Sequence, residues 1–208
     1  ILLSVIVLTT ICASQAWAVP AWDNGYDISV STTGITDRNN ISSSTWYVMK
    51  GTYNGNDYYL HYTESGWART TSLPTSTTAA DWKNYCFWFS EGTSSQGYLQ
   101  NAAGKYLGLT GTTTYGNSSR SITTTQTSLT ISTSLNIYIS YTGTNRGGQS
   151  KTYYTYLTTH NDNLYYDSNN SHQWTLYPVT LKEPAGPSHK LTFQFFYDAN
   201  NNGSCDSG

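Results

Sequence analysis

The carboxyl-terminal loop of this 208-residue chain carries oxygen atoms at a spacing that could hold a cation. Five residues stand at positions 1, 3, 5, 7 and 9 of the loop, where calcium ligands occur: Asp198, Asn200, Asn202, Ser204 and Asp206. Gly203, at position 6, permits the sharp turn that such loops require. Because all of these ligands are oxygen, the pattern predicts a calcium site, and an ordinary Asn-rich turn is the alternative.

This loop resembles EF-hand and dockerin loops. With the strand predicted by the alternation of residues 190–197, it also resembles the start of the B-type repeats of Gram-positive surface adhesins. The resemblance implies a Glu ligand at position 12, which would be the residue after Gly208. We therefore expect an incomplete calcium site, and we expect residues 190–208 to be the start of a truncated second β module.

A second set of residues could bind a sugar. Aromatic faces stack on the C–H surfaces of sugars, and carboxylate, amide and imidazole groups share hydrogen bonds with their hydroxyl groups. The candidates lie in or just after three similar hairpin turns: Trp67, Tyr106, His160, Asp162, Asn163 and Tyr165. The alternative is that the aromatic residues fill the core, because a small barrel needs large apolar side chains.

Signatures of common catalytic sites are absent from the sequence. The chain has no Gly-x-Ser-x-Gly, no His-Glu-x-x-His and no glycine-rich phosphate loop. Its four histidines are dispersed, whereas zinc ligands are normally paired at short spacing. We therefore expect that this chain is not an enzyme.

The composition predicts an all-β protein without an electrostatic partner. The 19 Tyr and 7 Trp residues favour strands, and abundant Asn and Gly favour turns. Charged residues make up only 11% of the chain and the net charge is −2. Binding to nucleic acid or to an anionic membrane would need clustered Lys and Arg, which this chain lacks.

The amino-terminal residues predict export. Residues 1–13 are apolar but too few to span a membrane, and Ala16-Trp17-Ala18 fits the small-x-small cleavage rule. We expect residues 1–18 to be a signal peptide of a secreted or cell-surface protein; an amino-terminal core strand is the alternative. Residues 19–44 are predicted to be a polar lead with one strand at 26–31. Cys86, in an aromatic run, is predicted to be a small buried hydrophobe.

Three hairpin patterns suggest internal repetition. They occupy residues 58–67, 97–109 and 156–166, with closing strands predicted at 85–89, 136–139 and 172–177. A unit of this size cannot bury its apolar face alone, whereas three together can close a barrel. Additional strands are predicted at 121–122 and 129–131.

Each hairpin pattern has a Tyr-Leu pair, then a turn, then aromatic residues or Leu on the return strand. In this respect residues 45–180 are similar to the repeats of ricin-type β-trefoil lectins. The family's Gln-x-Trp signature is not reproduced, since Gln173 directly precedes Trp174. The resemblance implies a three-repeat barrel that binds carbohydrate, and it makes Asp162 the nearest match to the family's turn carboxylate. A two-sheet β-sandwich is the alternative architecture.

The sequence thus predicts a β-trefoil-like domain at 45–180, a Pro-containing linker at 181–189 and further domains beyond residue 208. The expected function is non-catalytic carbohydrate binding within a larger secreted or surface protein. Two alternatives remain open. The chain could be a structural adhesin or stalk module that binds no sugar, or an accessory module of a glycan-active enzyme whose catalytic domain lies outside this sequence.

Overall fold

The computed structural model describes residues 18–91, 94–160, 164–166 and 173–184. The helices include a 3-10 turn (Arg38–Asn40) and α1 (Ala79–Trp82). The strands are β1 (Asp27–Val30), β2 (Trp46–Tyr53), β3 (Asn56–Thr63), β4 (Gly66–Thr70), β5 (Cys86–Phe89), β6 (Gln96–Gly97), β7 (Leu99–Asn101), β8 (Tyr106–Thr114), β9 (Asn117–Thr123), β10 (Leu129–Ile131), β11 (Ile137–Thr144), β12 (Ser150–Leu157), β13 (Tyr165–Tyr166) and β14 (Thr175–Lys182). The all-β prediction is confirmed.

The strands form two antiparallel sheets that share one stretch of chain. The first sheet follows the order β1-β14-β2-β5-β7-β8-β9, with β3 on β2 and β4 on β3. The second follows β13-β12-β11-β10-β6. Only Tyr98 separates β6 from β7, so residues 96–101 pair with β10 at one end and with β5 at the other. The two sheets are therefore continuous through this segment.

Two of the hairpins turn through residues with positive φ. Asn54 and Gly55 join β2 to β3 with φ of 49° and 77°, and Tyr115 and Gly116 join β8 to β9 with φ of 48° and 81°. Positive φ at both central residues matches the twist of paired strands, and Asn-Gly is the favoured sequence for it. Asn54-Gly55 is a strong hairpin signal in the sequence, and Tyr53 pairs with Asn56 across this turn.

The hairpin predicted at residues 97–109 is formed by β7 and β8. Asn101 organises its turn by accepting 2.8 Å and 2.9 Å hydrogen bonds, from Lys105 N–H to the side chain and from Gly104 N–H to the carbonyl. Gly104 takes φ of 77°, which glycine adopts without strain. The three hairpins were predicted to be equivalent repeats, but they differ in their place in the sheets. The strand β7 lies between β5 and β8, whereas β3–β4 and β12–β13 end at sheet margins.

The strand predicted at 136–139 is present from Ile137, but it begins a new hairpin and does not close the second one. Residues 137–139 begin the long strand β11, which forms a hairpin with β12, and Leu135 takes φ of 59° before it. The predicted strand at 129–131 is β10, and it pairs with β6. Local apolar patterning identifies a strand, but the partner of the strand depends on tertiary packing.

The larger hydrophobic cluster lies between side chains of both sheets. Tyr47 of β2 and Phe87 of β5 meet Leu107 of β8, Ile137 of β11 and the buried Trp174. The Trp174 indole N–H donates to the Leu157 carbonyl at 3.1 Å, so this buried polar group is satisfied.

A second cluster covers the opposite face of β2 and β5. It contains Trp46, Val48, Trp88 and the fully buried Cys86, together with Ile28 of β1. The predicted strand at 26–31 is β1, and it pairs with β14, so part of the predicted polar lead belongs to the first sheet. Burial raises the pKa of the Cys86 thiol, as expected of a small core hydrophobe. No helix in the described ranges is long and apolar enough to cross a membrane.

Candidate functional site

The first candidate site is a cleft beside the β3–β4 hairpin, here called the Trp67 cleft. Its volume is about 460 Å³. It is lined by Tyr62, Glu64, Ser65, Gly66, Trp67 and the segment 122–125 at the end of β9. The cleft lies between two parts of the chain that are distant in sequence, the β3–β4 turn and the end of β9.

Trp67 is held in this cleft by contacts on several sides. Its indole N–H donates to the Thr123 carbonyl at 2.9 Å. Its ring packs edge-on against Tyr62, with 4.9 Å between centroids, and tilted against Phe87 at 5.7 Å. The side chain is half-buried. Trp67 therefore packs against the core on one side and lines the cleft on the other, so it has features of both a core residue and a binding residue.

The turn adds polar groups to this aromatic wall. Glu64 is exposed at the turn. The Thr63 hydroxyl donates to the Gly66 carbonyl at 3.0 Å and accepts from Ser65 N–H at 3.2 Å, which braces the turn. Gly66 takes φ of 115°, which side chains rarely adopt. The cleft thus combines an anchored indole, a carboxylate and hydroxyl groups.

Tyr106 lies in a different cleft. This one has a volume of about 250 Å³ and is lined by Val19, Trp88, Ser90, Glu91, Tyr98, Tyr106 and Gln126. Glu91 and Tyr98 also line an adjoining cleft of about 280 Å³ with Gln96. The structure therefore does not bring Tyr106 and Trp67 into one site. Sequence reasoning missed Tyr98 as a partner of Tyr106, although both belong to the same predicted hairpin.

The third hairpin separates its predicted residues by face. The His160 ring lies 4.9 Å from the Tyr53 ring and 4.6 Å from the Tyr166 ring. Tyr165, opposite Leu157, instead packs against the larger hydrophobic cluster. Tyr165 therefore has the core contacts that the alternative hypothesis expected.

Several predicted residues lie outside the described residues. These are the sugar-site candidates Asp162 and Asn163, the calcium candidates Asp198, Asn200, Asn202, Ser204 and Asp206, and residues 1–17 of the predicted signal peptide. In the described part of the chain, no three His, Cys, Asp or Glu residues are grouped so as to hold a metal ion. The calcium hypothesis thus stays a prediction.

A half-buried titratable group of the β3–β4 hairpin, His61, has a shifted pKa. Burial lowers the pKa of His61, whose ring stacks on Tyr85 with 5.1 Å between centroids and 9° between planes. Desolvation disfavours the imidazolium form, so His61 is neutral over a wider pH range than an exposed histidine.

Comparison with protein-family models, with curated proteins and with solved structures gives no match for this chain. The function must therefore be argued from the side chains in these clefts.

Proposed function

We propose that this chain is a non-catalytic carbohydrate-binding module, and that the Trp67 cleft is its principal site. One observation carries the proposal: an anchored indole, the exposed Glu64 carboxylate and the hydroxyl groups of residues 123–125 line one open cleft. A sugar presents apolar C–H faces and a rim of hydroxyl groups. The cleft offers a partner for each, an aromatic surface and short polar groups.

The expected affinity is modest. An aromatic contact contributes about 0.5–1.5 kcal/mol and each net hydrogen bond about 1 kcal/mol. A few such contacts give about −4 kcal/mol, which corresponds to a dissociation constant of about 1 mM for a single sugar. The anchoring of Trp67 by Thr123 favours binding because little side-chain entropy is lost when a ligand stacks on a fixed ring.

We also propose the β-trefoil arrangement for residues 46–182. Strand neighbours run from β2 through β5, β6 with β7, β10 and β11, and β14 pairs again with β2. Between β11 and β14 the link is a 3.3 Å hydrogen bond from Trp174 N–H to the Leu135 carbonyl. Three hairpins, β3–β4, β8–β9 and β12–β13, complete three four-strand units. The continuity of the sheets through residues 96–101 supports this barrel over two separate sandwich sheets.

Export and calcium binding complete the proposal. We propose that residues 1–18 direct secretion, that the loop at 198–206 binds calcium once a ligand at position 12 is present, and that this chain works beside further domains. The motifs described above support these steps.

The test is glycan-array binding by the whole chain, followed by titration with the best short saccharide. Glu64→Gln keeps the shape of the exposed turn and removes its charge, so we expect at least a fivefold loss of affinity with unchanged thermal unfolding. Trp67→Phe retains a ring but loses the Thr123 hydrogen bond, so we expect intermediate affinity. Glu183→Gln is the matched control, because it removes an exposed carboxylate that does not line the cleft.

Two outcomes would overturn the proposal. One is no binding by the folded wild-type protein to any glycan, which would favour the structural adhesin module. The other is saccharide affinity that is the same in wild type, Glu64→Gln and Trp67→Phe, which would move the site away from this cleft.

A further inference from the structure

The outward face of the second sheet carries a row of tyrosines. Directly opposed residues place Tyr166, Tyr156 and Tyr138 on neighbouring strands, followed by Thr130 and Gln96. We call these five residues the tyrosine row. Directly opposed residues of antiparallel strands share one face, so the row crosses β13, β12, β11, β10 and β6.

The alternate residues show which face this is. Ile137, Leu157 and Ile131 are buried in the larger hydrophobic cluster, and successive side chains of a strand point to opposite faces. The tyrosine row therefore lies on the outer face. Tyr154, two residues before Tyr156 on that face, is 39% exposed.

Three of the rings, those of Tyr138, Tyr154 and Tyr156, are in mutual contact. Ring centroids are 4.9 Å apart for Tyr138 and Tyr156, 5.9 Å for Tyr138 and Tyr154, and 6.0 Å for Tyr154 and Tyr156. At the end of the row, the Tyr166 ring lies 4.6 Å from the His160 ring. Tyr154 is exposed and the other tyrosines are half-buried. A contiguous patch of such rings marks an interaction surface more often than a single exposed aromatic residue does.

The side chains of this face are mostly uncharged and rich in hydroxyl groups. One cation lies beside it, since Arg120 Nε donates to the Tyr154 carbonyl at 3.3 Å. Neither the tyrosine row nor Tyr154 contains an acidic or basic side chain. The neighbouring outward positions of β11 and β12 are Ser140, Thr142 and Thr152, all exposed. Burial and the adjacent phenols raise the pKa of Tyr156, which keeps that phenol protonated as a donor and an acceptor.

These features select one class of ligand. A nucleic acid or an acidic polymer would need cations, which this row does not contain. An added peptide strand would pair with a sheet edge, whereas the row lies on a face. A neutral sugar polymer matches both components, because its C–H faces can stack on the rings while its hydroxyl groups bond to phenol, Thr and Gln groups.

We propose that the tyrosine row, with Tyr154, binds a linear neutral polysaccharide laid across the strands. Five strands at about 4.8 Å spacing give a track of roughly 19 Å, long enough for several sugar units. The inference extends the proposed carbohydrate binding to a polymer, but it uses residues other than those of the Trp67 cleft. The two proposals can therefore fail separately.

The test is retention of the whole chain by insoluble cellulose, chitin and mannan, with polygalacturonate as an anionic probe. We expect retention by at least one neutral polymer and none by polygalacturonate. Tyr138→Ala/Tyr154→Ala should lower the bound fraction at least tenfold, while Tyr154→Phe keeps most of it because the ring remains. Tyr115→Asn is the control, since Tyr115 is a 64% exposed tyrosine at a positive-φ turn outside the row, where Asn is tolerated.

Variants of the Trp67 cleft distinguish the proposed binding of short saccharides from the proposed binding of a polysaccharide. Glu64→Gln should weaken the short saccharide and leave polymer retention unchanged, and Tyr138→Ala/Tyr154→Ala should do the reverse. Equal retention of wild type and the double variant would overturn the inference, as would no retention by any of the three polymers. A wild-type dimer that Tyr154→Ala converts to a monomer, measured by sedimentation, would also overturn it by assigning the face to protein contacts.

Discussion

The β3–β4 and β8–β9 hairpins have turns of the same length but differ in what covers them. Each ends in a two-residue turn, at 64–65 and at 115–116. In each hairpin we compare the pair of directly opposed residues that lies next to the last pair before the turn. In β3–β4 this pair is Tyr62 with Trp67, and in β8–β9 it is Thr113 with Ser118.

The small side chains of Thr113 and Ser118 allow the β11–β12 hairpin to pack closely against β8–β9. Thr113 is buried, and its hydroxyl lies 2.8 Å from that of Ser118 and 3.3 Å from that of Tyr141. A Cβ added to Gly143 of β11 would lie 2.5 Å from the Thr113 carbonyl oxygen, so glycine is required for this approach. A glycine on one strand and a small residue on the other let β11 lie against β8.

The aromatic pair has the opposite effect. Trp67 packs against Tyr62 and Phe87 and reaches Thr123 through its indole N–H, but a cleft remains beside the two rings. The comparison shows that side-chain size at one cross-strand pair decides whether a hairpin is covered by its neighbour or keeps an open, ring-lined surface.

Giving the first hairpin the small pair of the second should have the largest effect. We expect Tyr62→Thr/Trp67→Ser to lose saccharide binding and about 4 kcal/mol of unfolding free energy, because large ring contacts and the Thr123 hydrogen bond disappear. Urea unfolding and saccharide titration measure these two losses. Trp67→Phe is the control for size, and a double variant as stable as wild type would show that the rings are not part of the core.

Obstructing the close contact between β11 and β8 should have a smaller effect on stability. Gly143→Ala places a methyl group against the backbone of β8, so we expect a loss of about 2 kcal/mol. Thermal unfolding is the measurement. Gly147→Ala is the matched control in the same hairpin, since its added Cβ would meet side-chain oxygens only at 3.4 Å or beyond. Equal unfolding temperatures for the two variants would contradict this account of β8 and β11.

The smallest effect on stability should come from protonation of His61 in β3. The β8–β9 hairpin has no histidine. Because its folded pKa lies below the ordinary value of 6.5, the unfolded chain binds the proton more readily. Stability should therefore fall as the pH decreases from 6.5 through the lower folded pKa.

Urea unfolding between pH 5 and pH 7 measures this slope. The window lies above the titration of Asp57, whose pKa is lowered from 3.8 by the Thr52 hydroxyl and by Lys50, 3.0 Å away. His61→Gln should flatten the profile. An unchanged slope in that variant would assign the pH dependence to another group.

Much of the local structure was predictable because it depends on neighbouring residues. The turns at 54–55 and 101–104, the strand at 129–131, the strand at 26–31 and the burial of Cys86 all follow from short patterns. The grouping of hairpins was less accurate, since the 97–109 hairpin holds a different place in the sheet from the other two and residues 137–139 begin a strand that pairs with β12 in a new hairpin. Alternation of apolar residues identifies a strand without identifying its neighbour.

The candidate site shows the same division. Trp67 was recognisable as an aromatic residue after a turn, but its contacts with segment 122–125, some 55 residues away, were not. Tyr138, Tyr154 and Tyr156 looked like ordinary strand residues until the register aligned them with Tyr166.

The amino-acid sequence by itself determined the all-β class, the turn positions and the neutral, aromatic chemistry of the surface, because composition and φ preferences are local properties. Only the tertiary structure decided that Trp67 and Tyr106 lie in separate clefts and that four tyrosines lie on one face of a sheet. The physical reason is that strand register and sheet packing arise from contacts between distant parts of the chain. A shift of register by one residue would turn the tyrosine row from the surface into the core.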